Sequence, residues 1–301
     1  MPYPKISIIT LNYNQPERTN RFLRSTVTIT YPNYEILVCD MASDLDPGTT
    51  IDITVNGRAR LLLNKKNLGF AGGNNWGIEQ ADGDFLFIVN NDTLVTPALL
   101  ELLLQPMLND QMIAVTCPTI LQYPHTGVIE YAGFKPMNFF TGRTSSIGFN
   151  MPDEPGYRTT GPTFAAHGCA MLIRRSALQK TGLFPANFFL YYEEWDLSIR
   201  IKKAGYQIWH VGPAEIYHEG SASIGNSNPM KEYYLTRNRI LFIRRNASLF
   251  QLLVFTVFFS FLSVPKSIIS YLVKGQFKHL SAFVKAIRWN LQHNKNLVHT
   301  S

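Results

Sequence analysis

The sequence predicts an α/β protein, a mostly parallel open sheet flanked by helices and followed by an apolar, basic helical tail. Three observations carry this. Short apolar runs alternate with helical patterns through the first 120 residues, the signature of βαβ units. Polar and acidic side chains follow directly on those runs, where open α/β sheets bind ligands. The positive charge gathers at the far end: of 28 Lys/Arg and 21 Asp/Glu, 11 and one lie from Lys231 onward.

The runs at 6–11, 36–39, 59–63, 85–89 and 113–117 read as buried strands, being strand-sized and apolar throughout. Helices are expected over 17–28, 74–81 and 97–109, the last with Thr96 as N-cap and Pro97 in its first turn. Residues 121–163 lose all periodicity and read as loops and short strands. Regular structure returns as a strand at 170–174, helices at 176–181 and 194–204, a strand at 206–211, and helix again near Met230.

With 46% of its 301 residues hydrophobic and 16% charged, the chain can bury a large core, which excludes global disorder. Cys39, Cys117 and Cys169 are odd in number and lack a C-x-x-C pair, so reduced core thiols are expected rather than disulfides or a zinc site. No basic stretch followed by an apolar run opens the sequence, so no secretory signal is expected. The tail's apolar content directs its basic charge to a membrane surface and not to nucleic acid.

Five places concentrate chemistry. The first strand runs out through Thr10 into Asn12 and Asn14, and the second ends in Asp40; each suits a nucleotide base and ribose, or an ordinary polar turn. Asn67 to Asn75 is a glycine-rich stretch (Gly69, Gly72, Gly73) leading into a helix, where backbone can approach an anion. Its spacing is not that of a dinucleotide fingerprint. The fourth strand runs straight into Asn90, Asn91, Asp92 and Thr93, which sets Asp92 where a hard divalent cation needs one carboxylate and donor phosphates. Glu193, Glu194 and Asp196 surround Trp195 at a helix start; one is a general base beside an aromatic wall, or all three complement the helix dipole. His218 could complete a metal shell with Asp92, and Arg237 could meet a diphosphate.

Taken in this order, over roughly residues 5–245, these motifs resemble the family 2 glycosyltransferases of GT-A fold, in particular their rhamnosyltransferase-like bacterial branch. On this reading the chain divides into a nucleotide-binding half (1–120) and an acceptor-binding half (121–245), and the apolar and basic content of 246–301 makes it a membrane-associating or dimerising tail. The resemblance implies an inverting enzyme that moves a sugar from a nucleotide-diphosphate donor to an acceptor hydroxyl in surface polysaccharide or glycolipid assembly. Thr10, Asn12 and Asp40 would hold base and ribose, and Asn67, Gly72, Gly73, Asn74 and Asn91 would line the donor site. Asp92 and His218 would bind Mg²⁺ or Mn²⁺ bridging the diphosphate, with help from Arg237. Glu194 stands at the catalytic-base position, and Gly168, Cys169 and Trp195 would border a saccharide or lipid-linked acceptor. Two positions depart from the family pattern: Asn90 replaces the first acid of D-x-D, and Glu194 stands where Asp is usual.

A nucleotide-sugar-binding pseudo-enzyme needs only the donor features, but Asp92 and Glu194 keep the carboxylates that catalysis requires. A sugar nucleotidyltransferase would carry a basic glycine-rich loop after its first strand, where this chain has Asn12, Tyr13 and Asn14. A processive synthase would carry Q-x-x-R-W, which is missing. The stretch 246–265 holds no formal charge, but Gln251, Ser260, Ser263 and Pro265 soften it. A helix lying in the interface is therefore expected over a clean span, placing the protein on the inner face of the cell membrane.

Overall fold

Residues 3–219 and 228–293 are described by a computed structural model. Strands β1 (Ile6–Asn12), β2 (Tyr34–Met41) and β4 (Phe85–Val89) are buried at nearly every position, as expected where helices cover both faces of a sheet. With β3 (Ala59–Asn64) they form a parallel set in the order β3-β2-β1-β4. The chain moves out from β1 to β3, then returns to β4 on the other side. The crevice beyond the C-terminal ends of β1 and β4 is therefore a topological switch point.

The second half of the sheet is mixed, where the sequence reads as mostly parallel. Strand β9 (Ala170–Arg174) runs antiparallel between β4 and β6 (Ile113–Gln122). Strand β10 (Gln207–His218) is parallel to β6 and pairs antiparallel with β5 (Thr93–Val95) and β8 (Gly161–Pro162). Strand β7 (Ile129–Tyr131) adds to the edge of β6. Because β10 runs to His218 and pairs it with Thr93, the last strand delivers an imidazole beside the turn after β4.

Helix α1 (Pro16–Thr26) follows β1, and the short α2 (Pro47–Thr50) is capped by the Asp46 carboxylate. Helix α3 (Gly69–Gln80) begins five residues before the expected start at 74, so the glycine-rich stretch forms its first turns. A β-carbon at Gly73 would lie 2.9 Å from Leu11, and one at Gly77 would lie 2.6 Å from Ile9. These glycines let the helix sit hard against β1 and β2. Helix α4 (Leu99–Asn109) starts two residues late, because the Thr96 hydroxyl donates to the Glu215 carbonyl instead of capping. Helices α5 (Arg175–Thr181) and α6 (Glu193–Lys203) complete the first of two compact units. Cys39, Cys117 and Cys169 are buried free thiols.

The second unit gathers Pro136–Thr144, Leu190–Tyr192 and the helices from Pro229 onward. Helix α7 (Pro229–Asn246) packs on α10 (Phe277–Gln292): the Arg237 guanidinium lies 4.7 Å from the Trp289 ring centroid, and Asn290 Nδ2 donates to the Arg237 carbonyl at 3.0 Å. A boundary at 245 therefore cuts between partners. A capping box of Ser248 and Gln251 starts α8 (Leu249–Phe258), which continues through a π-helical turn, Phe259–Ser263, into α9 (Val264–Val273). Pro265 lies at the start of α9 directly after the wide turn, so it does not break the helix. The resulting 25 residues are long and apolar enough to cross a membrane by length and composition, a longer and less interrupted element than the sequence reads.

Candidate active site

At the end of β1, Asn12 Nδ2 donates to Asp40 Oδ2 at 2.7 Å and to Ser43 Oγ at 3.1 Å. The Asp40 carboxylate also accepts the Ser43 hydroxyl (2.6 Å) and backbone N–H (2.9 Å). Asn12, Asn14, Pro16, Ser43, Asp44, Leu45 and Thr50 line a cavity of about 270 Å³ beyond these bonds. Asn14 and Ala42 beside it hold positive φ of 55° and 60°, a conformation that concentrates at functional sites. From Asn12 a relay crosses the switch point: Thr19 Oγ1 donates to Asn12 Oδ1 (2.8 Å) and accepts Asn91 Nδ2 (2.9 Å).

Beside Asn91, the Asp92 carboxylate faces two cationic groups. Its Oδ1 lies 3.2 Å from His218 Nε2 and its Oδ2 lies 3.4 Å from Arg18. Burial pushes its carboxyl up, but His218 and Arg18 outweigh burial and hold it below the usual range. Oδ1 is buried and makes no bond of hydrogen-bonding geometry among the described residues, so its contact with His218 is one of charge and proximity. On the far side of the imidazole, Nδ1 sits 2.9 and 3.0 Å from the two Glu130 oxygens. Burial alone lowers the His218 pKa; Cys169, Asp92 and Glu130 reverse this and raise it. Arg18 and Arg21 on α1 both meet Glu219, at 3.7 and 2.7 Å.

The third part of the site is the start of α6. Glu193 is only 3% exposed, whereas Glu194 is half-buried. Burial, then the adjacent Glu194, push the Glu193 carboxyl well up. Asp196 is consumed by structure: it accepts Arg200 Nε at 3.0 Å, and Arg200 also binds the carbonyls of Thr181, Gly182 and Leu183. A β-carbon at Gly168 would lie 3.9 Å from the Glu194 side chain, so Gly168 borders that carboxylate directly. Ser198 Oγ donates to the Glu194 carbonyl (2.6 Å) and accepts the Ala166 N–H (3.0 Å), tying α6 to this loop. The loop is tied in turn to the turn after β4, since Asn90 N–H donates to the Cys169 carbonyl at 2.9 Å.

The family model for glycosyl transferase family 2 matches residues 7–182, more than half the chain. The chain belongs to glycosyl transferase family 2. Among curated relatives, this glycosyltransferase is 26% identical over 241 residues to the N-acetylglucosaminyl-diphospho-decaprenol L-rhamnosyltransferase of Mycobacterium tuberculosis, covering 73% of this chain and 78% of that one. It is 24% identical over 243 residues to the O-antigen biosynthesis protein RfbC of Myxococcus xanthus, covering 77% of this chain but only 19% of that longer protein. Its backbone superposes on GalNAc-T7, solved with UDP, GalNAc and Mn²⁺, with a TM-score of 0.65 at 17% identity, over 98% of this chain and 59% of that one. The fold is GT-A.

Several expected donor residues sit differently in the glycosyltransferase than the sequence implies. Gly72, Gly73 and Asn74 are not a ligand-facing loop but part of α3. Gly73 abuts the sheet, and the buried Asn74 donates to the Phe70 carbonyl at 2.9 Å. Thr10 is fully buried, its hydroxyl without a partner among the described residues. Asn67 is exposed and caps Gly69 N–H at 2.9 Å. Trp195 is buried against Phe134, 4.9 Å between ring centroids, and so packs in the core and does not border an open face. Arg237 belongs to the second unit, flanked there by Tyr233, Tyr234 and Trp289. Conversely, Ser43, Thr19, Arg18 and Glu130 enter the site unannounced. The first three share polar turns or an amphipathic helix with many similar residues. Glu130 lies 88 residues from His218 in a stretch without periodicity.

Proposed function

We propose that this family member is an inverting, metal-dependent glycosyltransferase that passes a sugar from a nucleotide-diphosphate donor to a hydroxyl on a lipid-linked saccharide. The observation that carries the reading is the juxtaposition, at one switch point, of a polar nucleotide cavity, the Asp92–His218 pair and the half-buried Glu194 beside Gly168. The rhamnosyltransferase relative's decaprenyl-diphosphate acceptor supports the acceptor class.

The donor set suits a divalent cation. Among the described residues Asp92 Oδ1 is a buried oxygen without a hydrogen bond, and His218 Nε2, a ligand once it gives up its proton, faces it. Among the described residues no cluster of three or more His, Cys, Asp or Glu could hold a metal. Asp92 and His218 would therefore supply two ligands and leave the rest to diphosphate oxygens and water, the habit of Mg²⁺ in phosphate sites. Such an ion offsets the charge that develops on a leaving diphosphate.

The chain's own residues do the rest. Asn12 and Asp40 order the rim that receives base and ribose. Glu194 takes the proton from the acceptor hydroxyl as its oxygen bonds to the anomeric carbon, while the bond to the β-phosphate oxygen breaks and its electron pair stays with the diphosphate. A single displacement inverts the anomeric centre. The buried Glu193 and the Arg200-bound Asp196 leave Glu194 as the carboxylate bordering the Gly168 loop.

The helical stretch 249–273 exposes Leu253, Val257, Phe261 and Leu262. Lys266, Lys274, Lys278, Lys285 and Arg288 lie on or after it, each contributing about 1 kcal/mol near an anionic surface. This supports attachment to the inner face of the cell membrane, where a lipid-linked acceptor resides; a homodimer through the same face is the competing use. The test is release of nucleoside diphosphate from a panel of nucleotide sugars with polyprenyl-diphosphate saccharides as acceptors. Turnover lost in chelator and restored by Mn²⁺ or Mg²⁺ supports the reading. No turnover of any donor overturns it, and full activity in excess chelator overturns the metal.

A further inference from the structure

We infer that Glu130 is a positioning residue: its carboxylate grips the Nδ1 edge of His218 and aims Nε2 at Asp92 Oδ1, the oxygen without a hydrogen bond among the described residues. The inference rests on the metal reading above and deepens it. Glu130 is the middle residue of β7, between the fully buried Ile129 and Tyr131. Strand alternation turns those two into the core and sends Glu130 to the opposite face. There it meets the last residue of β10, with both carboxylate oxygens within 3.0 Å of Nδ1. The ring is thereby held from one edge, and its other nitrogen lies 3.2 Å from Asp92 Oδ1. With Nδ1–H donated to Glu130, Nε2 is the nitrogen that would give up its proton to solvent and turn its lone pair to a cation, and the ring plane is fixed before any ion arrives. Carboxylate–histidine pairs of this kind set the tautomer and orientation of metal-binding imidazoles.

A plain structural ion pair would look similar, so the test separates reach from charge and from strand stability. Glu130→Gln keeps the reach and an acceptor oxygen but loses the charge; Glu130→Asp keeps the charge and withdraws the oxygens by one methylene. Ser146→Ala removes a bond to the Glu130 backbone carbonyl, 2.9 Å long, and loosens the same strand with the carboxylate in place. Mn²⁺ binding to the full chain is read by electron paramagnetic resonance, alone and with UDP, GDP or dTDP. Glu130→Asp is expected to weaken apparent Mn²⁺ affinity about 10–100-fold, and Glu130→Gln and Ser146→Ala by no more than about threefold. The reverse order of Gln and Asp, both within twofold of the unmodified chain, or Ser146→Ala matching Glu130→Asp would overturn the inference. An unmodified chain that binds no Mn²⁺ under any of these conditions fails the metal reading itself.

Discussion

Two neighbouring acids, Glu193 and Glu194, differ by one position in the sequence and by a whole environment in the fold. Glu194→Gln is expected to lower kcat by roughly 10²–10⁴ with donor affinity nearly unchanged, as for loss of a general base. Glu193→Gln should leave kcat within a few-fold, which steady-state kinetics on both variants will check. The buried acid has its own signature in stability. Its carboxyl is held well above the ordinary 4.5, so above that pH the unfolded chain gives up a proton that the folded chain keeps. Stability then falls as pH rises. Glu193→Gln removes this dependence, so its melting temperature should gain on the unmodified protein from pH 4 to pH 8; a gap that stays constant would refute the burial argument. Nothing in the sequence ranks the two acids physically, because both occupy the first turn of one helix and only the fold decides which is covered.

Among the elements, β4 was legible to the residue, because five consecutive apolar residues bounded by polar ones admit little else. Helix α3 was not, since glycine's low helix propensity makes 69–73 read as a turn, while the benefit of glycine there comes from the sheet beneath. Gly77→Ala is expected to destabilise by about 1–3 kcal/mol through overpacking against Ile9, less any gain in helix propensity. Gly156→Ala, with nothing within 4 Å of the added carbon, should be near neutral; urea melts of the two variants make the comparison. Strand β10 carries a pH-dependent contribution through His210. Its Nδ1 is 3.0 Å from the Thr159 carbonyl, and the Thr119 hydroxyl is 2.9 Å from its Nε2, which fits a neutral ring with the hydrogen on Nδ1. Burial lowers its pKa from 6.5 to about 4. The unfolded chain therefore takes up a proton first as pH falls, and stability contributed by His210 is lost between about 6.5 and 4. His210→Gln should flatten the acid limb of melting temperature against pH.

For the whole molecule, the sequence located the GT-A fold and the tail's character, but it misjudged how the tail is built. Because α10 packs on α7, a chain cut after Asn246 would lose a partner of α7 as well as the apolar helix. Membrane attachment is better tested by Leu253→Gln with Phe261→Gln, two exposed positions. The doubly substituted chain should bind anionic vesicles at least tenfold more weakly, on the scale of apolar area withdrawn from the interface. Unchanged co-sedimentation would favour a dimer through this face.

The family match stops at Gly182, which ends α5 with φ of 79°, whereas Glu194, Trp195 and His218 come later. Gly182 is thus a seam between the part of the chain that the family model matches and the part beyond it. Arg200 is its stitch, since it spans the carbonyls from Thr181 to Leu183 while anchored to Asp196. A graft that exchanges the segment after Gly182 between family members should carry Asp196 and Arg200 together, and should then transplant acceptor preference while the host keeps its own nucleotide sugar.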